Sequence, residues 1–349
     1  MNRAFYGIMG SKALTTKDGK YTNAIYGFLA ILFKLLEEEK PDFIGVTFDL
    51  KAPTARHKMY EGYKANRKGM PTELAEQMPI IKDVLRAMNI DIIEKEGYEG
   101  DDVIGTLSRY GEQKGLEVVI LSGDRDTFQL ATDNVRINIP RTKGGKTETE
   151  IFNREKVKEV YGIEPKQLIE VKGLQGDTSD NIPGVPGIGE KTGIKLIKEF
   201  SSIENLIENT NQLKGSVKIY EKLEKGESDL KGKQKEKLEE NKDLAFLSRT
   251  LGRINLEVPI EDNLEDLKLE EWNKTEVLKI FKELNFKRYI ERFNLQEENT
   301  ENTDIKVEDM YKTVEKTAEQ IIEKIKENKE MIFYLNTEKD EDTEKIIKE

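Results

Sequence analysis

The chain has 349 residues, enough for two domains of ordinary size, and hydrophobic and charged residues each supply 36% of it, a wet but globular balance. With no cysteine and one histidine, His57, disulfides and thiolate or imidazole-rich metal sites are excluded, so any metal here must be held by oxygen. No apolar run approaches the ~18 residues of a membrane span and no signal peptide opens the chain, so a cytoplasmic setting is expected.

The net charge of −11 is unevenly spread. Residues 296–349 hold 17 acids against nine bases, net −8, which leaves −3 on the rest of the chain. Between Leu50 and Met70 six cations (Lys51, Arg56, Lys58, Lys64, Arg67, Lys68) face the single acid Glu61. Such a local cationic face suits phosphate binding.

In chain order, residues 1–150 alternate short β-rich runs with amphipathic stretches. The spacing predicts strands at 42–49, 89–94 and 117–124, and helices over 26–39 and 73–88. That alternation argues for an α/β fold, a mainly parallel central sheet flanked by helices. Ligand groups in such sheets collect beyond the carboxyl ends of the strands, where Asp49 and Asp124 stand. Residues 151–295 read as a helical subdomain, 296–305 as a polar linker, and 306–349 as the partial start of another domain.

Four acidic groups stand out: Asp49; Glu99 with Asp101 and Asp102; Asp124 with Asp126; and Asp177 with Asp180. Singly, acids at strand ends are solvated loops or helix caps. Converged, eight carboxylates would repel one another strongly, and hard divalent cations such as Mg²⁺ or Mn²⁺ relieve that repulsion. Two such ions ~4 Å apart can activate a water and stabilise the leaving oxygen of a phosphodiester.

From Pro53 onward the pattern predicts one continuous helix reaching about Lys68. Arg56, Tyr60, Tyr63, Lys64 and Arg67 would then share a face. Cations alternating with aromatics grip a phosphate backbone while stacking unpaired bases; the plainer reading is a solvated helix whose tyrosines pack on the core. Further on, Gly184-Val-Pro-Gly-Ile-Gly-Glu-Lys-Thr192 joins a turn to a helix start. Glycines there let backbone approach a ligand, and free amides at a helix start bind phosphate. Lys191, Lys195 and Lys198 add attraction to a duplex. No βαβ unit surrounds these glycines and G-x-x-x-x-G-K-[ST] is not matched, so a helix–hairpin–helix spanning about 168–200 fits better.

Six signatures in order now carry a resemblance: N-R-A-F-Y-G at the start, V-T-F-D at 46–49, Y-K-A-N-R-K at 63–68, G-Y-E-G-D-D at 97–102, S-G-D-R-D at 122–126, and G-D-T-S-D-N-I-P-G-V-P-G-I-G-E-K-T at 176–192. Over residues 2–295 the chain resembles the 5′-nuclease family, the 5′→3′ exonuclease and flap endonuclease domains at the N-terminus of bacterial DNA polymerase I. The resemblance implies a PIN-like core with a helical arch over 53–70. It implies two Mg²⁺ or Mn²⁺ ions, the first on Asp49, Glu99 and Asp101 with Asp102 beside them, the second among Asp124, Asp126, Asp177 and Asp180. Lys64 and Arg67 would steady the scissile phosphate as catalytic residues, and Tyr63 would stack on the terminal base. Arg56, Tyr60 and Lys68 would complete the arch's DNA contacts. Gly184, Gly187, Gly189, Lys191, Thr192 and Lys195 would grip the duplex, with a K⁺ ion on backbone carbonyls. The implied partner is branched or nicked duplex DNA with a 5′ end or flap, bound by a monomer, with a polymerase domain in the full-length parent.

Family members open on an apolar strand ending in Asp-Gly-Asn-Ser, whose Asp is a further metal ligand; here Met1 falls inside the next segment. Two expectations follow: a nuclease of reduced activity and stability, or a structure-selective DNA-binding module without turnover. The last 44 residues resemble the opening of a proofreading-like domain, but of its Asp-x-Glu acids only Glu338 is offered.

Overall fold

A computed structural model of the chain describes residues 1–8, 14–16, 18–143, 146–212, 237–260 and 263–296. Residues 1–296 form one compact unit. The expected linker at 296–305 and partial domain at 306–349 lie, from residue 297 onward, outside the described residues.

The unit opens with α1 (Asn2–Ile8) and α2 (Asn23–Glu39). Ile25, Leu29, Leu32 and Phe33 recur at helical spacing along α2 and are all buried. The helix ends where Lys40 turns left-handed and returns its N–H to the Leu36 carbonyl. There follow β1 (Gly45–Thr47), α3 (Ala55–Met59), α4 (Thr72–Ala75), α5 (Gln77–Ala87), β2 (Asp91–Ile93), α6 (Gly100–Gln113) and β3 (Val118–Leu121). The chain then forms β4 (Val135–Lys143), β5 (Lys146–Phe152), α7 (Arg154–Tyr161), α8 (Leu168–Gln175), α9 (Glu190–Phe200), α10 (Ile203–Gln212), α11 (Lys242–Gly252), α12 (Lys274–Glu283) and α13 (Lys287–Arg292).

The three predicted strands are present but shorter, and they do not share one sheet. β1 and β2 form a parallel pair; β3 runs parallel to β4, which turns into the antiparallel β5. The β4–β5 hairpin was not predicted, although Val135, Ile137 and Ile139 alternate as a half-buried strand should. Two apolar layers hold these pieces. Ile25, Leu29 and Phe33 of α2 meet Ile81 and Leu85 of α5 and Val277 and Phe281 of α12. Ile120, Ile137, Phe152 and Val157 close the second layer beneath the three-stranded sheet. A third cluster, Leu174, Leu196, Ile197, Ile203, Leu206 and Ala245, joins α8–α11. Each fully buried Leu, Ile or Phe contributes about 1.5–3 kcal/mol, so these layers fix the strand ends that carry the acids.

The continuous helix expected over 53–68 is not formed. α3 stops at Met59, Tyr60 is extended, and residues 61–66 form turns with Lys64 in the left-handed region at φ 55°. Contacts remote in sequence explain the break. The Lys64 N–H donates to the Asp180 carbonyl at 2.8 Å. Asn66 Nδ2 donates to the Thr178 carbonyl and Asn181 Nδ2 to the Gly62 carbonyl, both at 2.6 Å. These bonds dock the 62–66 turn on the 178–181 turn, which a continuing helix could not do.

Candidate active site

Each acid is positioned by a local device. The chain leaves β1 into Asp49, whose Oδ1 accepts the Gly100 N–H at 2.7 Å, the first amide of α6. Glu99 caps α6, and the Asp102 carboxylate returns to the Glu99 N–H at 3.1 Å. Acids in this first turn face the positive end of the helix dipole. Asp124 follows β3 and caps the 3₁₀ turn 125–130, accepting the Asp126 N–H at 2.9 Å. Asp177 accepts both the N–H and the hydroxyl of Ser179 at 2.7 Å, shaping the turn that delivers Asp180.

Six of the eight predicted acids (Asp49, Glu99, Asp101, Asp124, Asp126 and Asp180) line one cavity of about 100 Å³. Arg56, Tyr63, Lys64 and Arg67 line it too. Asp102 and Asp177 do not line it. Asp101 feels the crowding most: burial, then the charges of Asp124, Asp49, Glu99 and Asp126, push its carboxyl up to about 7.

Five of the other acids, Glu99, Asp102, Asp126, Asp177 and Asp180, are met by the protein's own cations. Arg56 donates Nη1 and Nη2 to the two Asp102 oxygens, each at 2.7 Å. Its other donors reach the Leu251 and Arg253 carbonyls at 2.9 and 2.6 Å. Asp102 also accepts the Asn255 N–H at 2.8 Å. Burial would raise the Asp102 carboxyl, but the Arg56 guanidinium outweighs it and holds the group below the usual carboxylate range. Both Asp102 oxygens are thus doubly engaged, and the Arg56 guanidinium is held by Asp102 and two carbonyls. Lys64 Nζ donates to Glu99 Oε1 at 2.8 Å, and Arg67 pairs with Asp180.

Tyr63 departs furthest from its expected role. Its ring is 3% exposed, packed with Ile182 and Leu251, and its hydroxyl donates to Glu99 Oε2 at 3.1 Å. Burial and the neighbouring Glu99 and Asp180 raise its pKa. In this conformation it is a wall of the cavity and offers no face to a base. Tyr60 is half-buried beside it, whereas Lys68 is exposed.

One participant was missed from the sequence. Lys172, on α8 and 8% exposed, donates Nζ to both Asp126 oxygens at 2.7 Å and also pairs with Asp177. Burial lowers a lysine pKa, but these two acids more than offset it and the net shift is upward. A single lysine among Val171, Gly173 and Leu174 was the available signal, since a buried ammonium needs anionic partners.

The glycine segment joins α8 to α9 as a turn over 176–189. Gly184 and Gly187 adopt φ of 62° and 85°, and a Cβ at Gly184 would lie 2.3 Å from the Gly176 nitrogen, so both the angle and the space require glycine there. The Gly184 N–H donates to Ser248 Oγ at 2.9 Å and the Val185 N–H to the Leu174 carbonyl at 2.7 Å. Gly189 precedes α9, on which Lys191 and Lys195 are exposed and Thr192 half-buried. None of Gly184, Gly187, Gly189, Lys191, Thr192 and Lys195 lines the acid cavity, to which the same turn contributes Asp180 and Ile182.

The donor chemistry fits hard divalent cations: carboxylates whose burial and mutual charge push Asp101 up to about 7, with no soft ligand among them. Among the described residues, however, no three of them close on a common point as a finished ligand shell. No cation among the described residues pairs with Asp49, Asp101 or Asp124 in the cavity.

Two consecutive family models match the chain: the 5′-3′ exonuclease N-terminal resolvase-like domain over residues 1–162 and the 5′-3′ exonuclease C-terminal SAM fold over 163–275. The chain belongs to the 5′–3′ exonuclease family. It is 45% identical over 295 residues to DNA polymerase I of Caldicellulosiruptor bescii, covering 84% of this chain and 32% of that protein. It spans about a third of the length of the curated relatives it matches. Among solved structures, the T5 D15 flap endonuclease in a pseudo-enzyme-product complex with DNA and metal ions aligns with a TM-score of 0.52 at 21% identity, over 74% of this chain and 90% of that one. The catalytic core of Rad2 with a DNA substrate aligns at 0.55 and 18% identity, over 84% and 91%. These two likenesses concern the fold, which is that of 5′ nucleases.

Proposed function

We propose that this 5′–3′ exonuclease hydrolyses phosphodiester bonds at the 5′ ends and 5′ flaps of nicked or branched duplex DNA, as a monomer in the cytoplasm and as part of a DNA polymerase I. The observation that carries this reading is the convergence of six carboxylates from four chain segments on one cavity with Lys64 and Arg67 at its side. The structural neighbours that hold DNA or metal ions support it.

Asp49, Glu99, Asp101, Asp124, Asp126 and Asp180 would hold two Mg²⁺ or Mn²⁺ ions, Asp177 contributing through its turn. When bound, such ions supply an activated water and charge neutralisation at the phosphate. The chain's own work is positioning. Lys64 and Arg67 exchange their carboxylate partners for the scissile phosphate, Lys64 as a point charge and Arg67 as a planar fork. Tyr63 keeps Glu99 and Asp180 oriented through its hydroxyl. Lys68 meets the departing strand, and Gly184, Gly187, Gly189, Lys191, Thr192 and Lys195 hold the duplex, with K⁺ on the carbonyls of the 176–189 turn. A second reading, DNA binding without turnover, is favoured by one feature: Lys64, Arg67 and Lys172 already neutralise Glu99, Asp180 and Asp126.

A 5′-labelled flap duplex separates the two. With Mg²⁺ or Mn²⁺ the nuclease yields shortened products, while the binding module yields a retarded band alone. Lys64→Ala should slow cleavage about 10²–10³-fold while changing duplex affinity only slightly. Equal losses in rate and affinity would remove Lys64 from the reaction.

A further inference from the structure

Lys172 is the least expected group at the site. Three properties make it more than a neutralising charge. All three of its N–H donors are directed at carboxylate oxygens, two on Asp126 and one on Asp177. The two acids come from separate elements, the 3₁₀ turn after β3 and the turn after α8, so the ammonium ties those elements together. Its stem runs against Gly252 at the end of α11, where a Cβ would lie 2.6 Å from the lysine Cγ. Gly252 itself lines the acid cavity, so a glycine backbone leaves the channel through which the lysine reaches it.

We propose that Lys172 is a positioning residue that holds Asp126 and Asp177 as a pair and competes with a divalent cation for their oxygens, so that one half of the metal site binds weakly by construction. An ammonium with three donors satisfies the same lone pairs a hard cation would take. A cation entering beside Asp126 must displace those hydrogen bonds or share the carboxylate with them. Among the described residues, Asp49, Asp101 and Asp124 carry no such competitor in the cavity. The inference rests on the divalent-metal reading above and deepens it: an ion beside Asp49, Asp101 and Asp124 would bind more tightly than one beside Asp126 and Asp177.

The test is Mn²⁺ binding to the full chain without DNA, followed by electron paramagnetic resonance of free Mn²⁺, with thermal midpoints recorded across the same titration. Wild type is expected to show two classes of site. In Lys172→Met the weaker class should tighten at least tenfold, and the thermal midpoint should rise more steeply with Mn²⁺. Lys172→Arg, which keeps a cation there, should leave the weak class weak. Gly252→Ala supplies an independent arm, because it displaces the lysine stem while leaving every acid in place, and it should tighten the weak class in the same direction. Two unchanged affinities in folded Lys172→Met or Gly252→Ala would overturn this inference alone. Absence of Mn²⁺ binding in wild type and variants would overturn the metal reading and this inference with it.

Discussion

The acids in and beside the cavity differ in what meets them, although burial raises Asp126 as well as Asp101. On one side Asp49, Asp101 and Asp124 face one another without a cation, and Asp101 is pushed up to about 7. On the other, Asp102, Glu99, Asp180 and the Asp126–Asp177 pair are each met by Arg56, Lys64, Arg67 or Lys172. Neighbours in sequence fall on different sides: Asp101 is raised and Asp102 lowered, one residue apart on the first turn of α6. The helix dipole acts on both alike, so the difference comes from what packs against each carboxylate. The unneutralised half therefore stores repulsion that a divalent ion can release. The neutralised half gives stiffness instead.

The largest effect should come from unbolting the neutralised half. Arg56→Met leaves a buried Asp102 without its guanidinium and two carbonyls without a donor, at a cost of about 3–5 kcal/mol. Urea unfolding monitored by circular dichroism measures it, and a loss under about 1 kcal/mol would erase the contrast between the halves. The opposite sign is expected for Asp101→Asn in the metal-free protein. The folded-state pKa near 7 lies above the ordinary value near 4. The contribution of this group to stability is therefore complete below about pH 4 and lost as pH rises through 7. The variant should accordingly be more stable than wild type by about 4 kcal/mol at pH 8 and indistinguishable from it at pH 4. Added Mg²⁺ should raise the thermal midpoint of wild type more than that of the variant. Arg67→Ala should matter least for stability: its side chain is 48% exposed, and loss of its pair with Asp180 should cost less than about 1 kcal/mol. Its cleavage rate should nevertheless fall, which would mark Arg67 as functional rather than structural.

How much of this was legible before the structure depends on how local each feature is. The strand ends that carry Asp49 and Asp124 could be read because apolar β-rich runs stop at an acid, and the helix start at Glu99–Asp102 because acids and a glycine precede an apolar pattern. The arch could not. Its sequence favours a helix past Met59, and the residues that end it, Asp180, Thr178 and Asn181, lie more than a hundred positions away. The same distance hid the role of Tyr63, whose buried surroundings are Ile182 and Leu251. Lys172 was hidden for another reason: a lysine on a helix is normally read as solvated, and only the position of Asp126 reveals that this one is enclosed. The β4–β5 hairpin is legible in the alternation of Val135, Ile137 and Ile139, which the buried Asn138 between them blurs.

The docking of the 62–66 turn on the 178–181 turn has a consequence for modularity. Glu99 and Lys64 belong to the stretch matched by the N-terminal family model, and Asp180 to the stretch matched by the C-terminal one. Neither stretch owns a complete reaction chamber. An exchange of one for the corresponding piece of a distant relative would carry over its own core intact and still lose the chamber, unless the seam formed by Gly62, Asn66, Thr178 and Asn181 travelled with it. Recombination between such nucleases should therefore succeed when the crossover spares that seam, wherever the boundary between the two folds happens to lie.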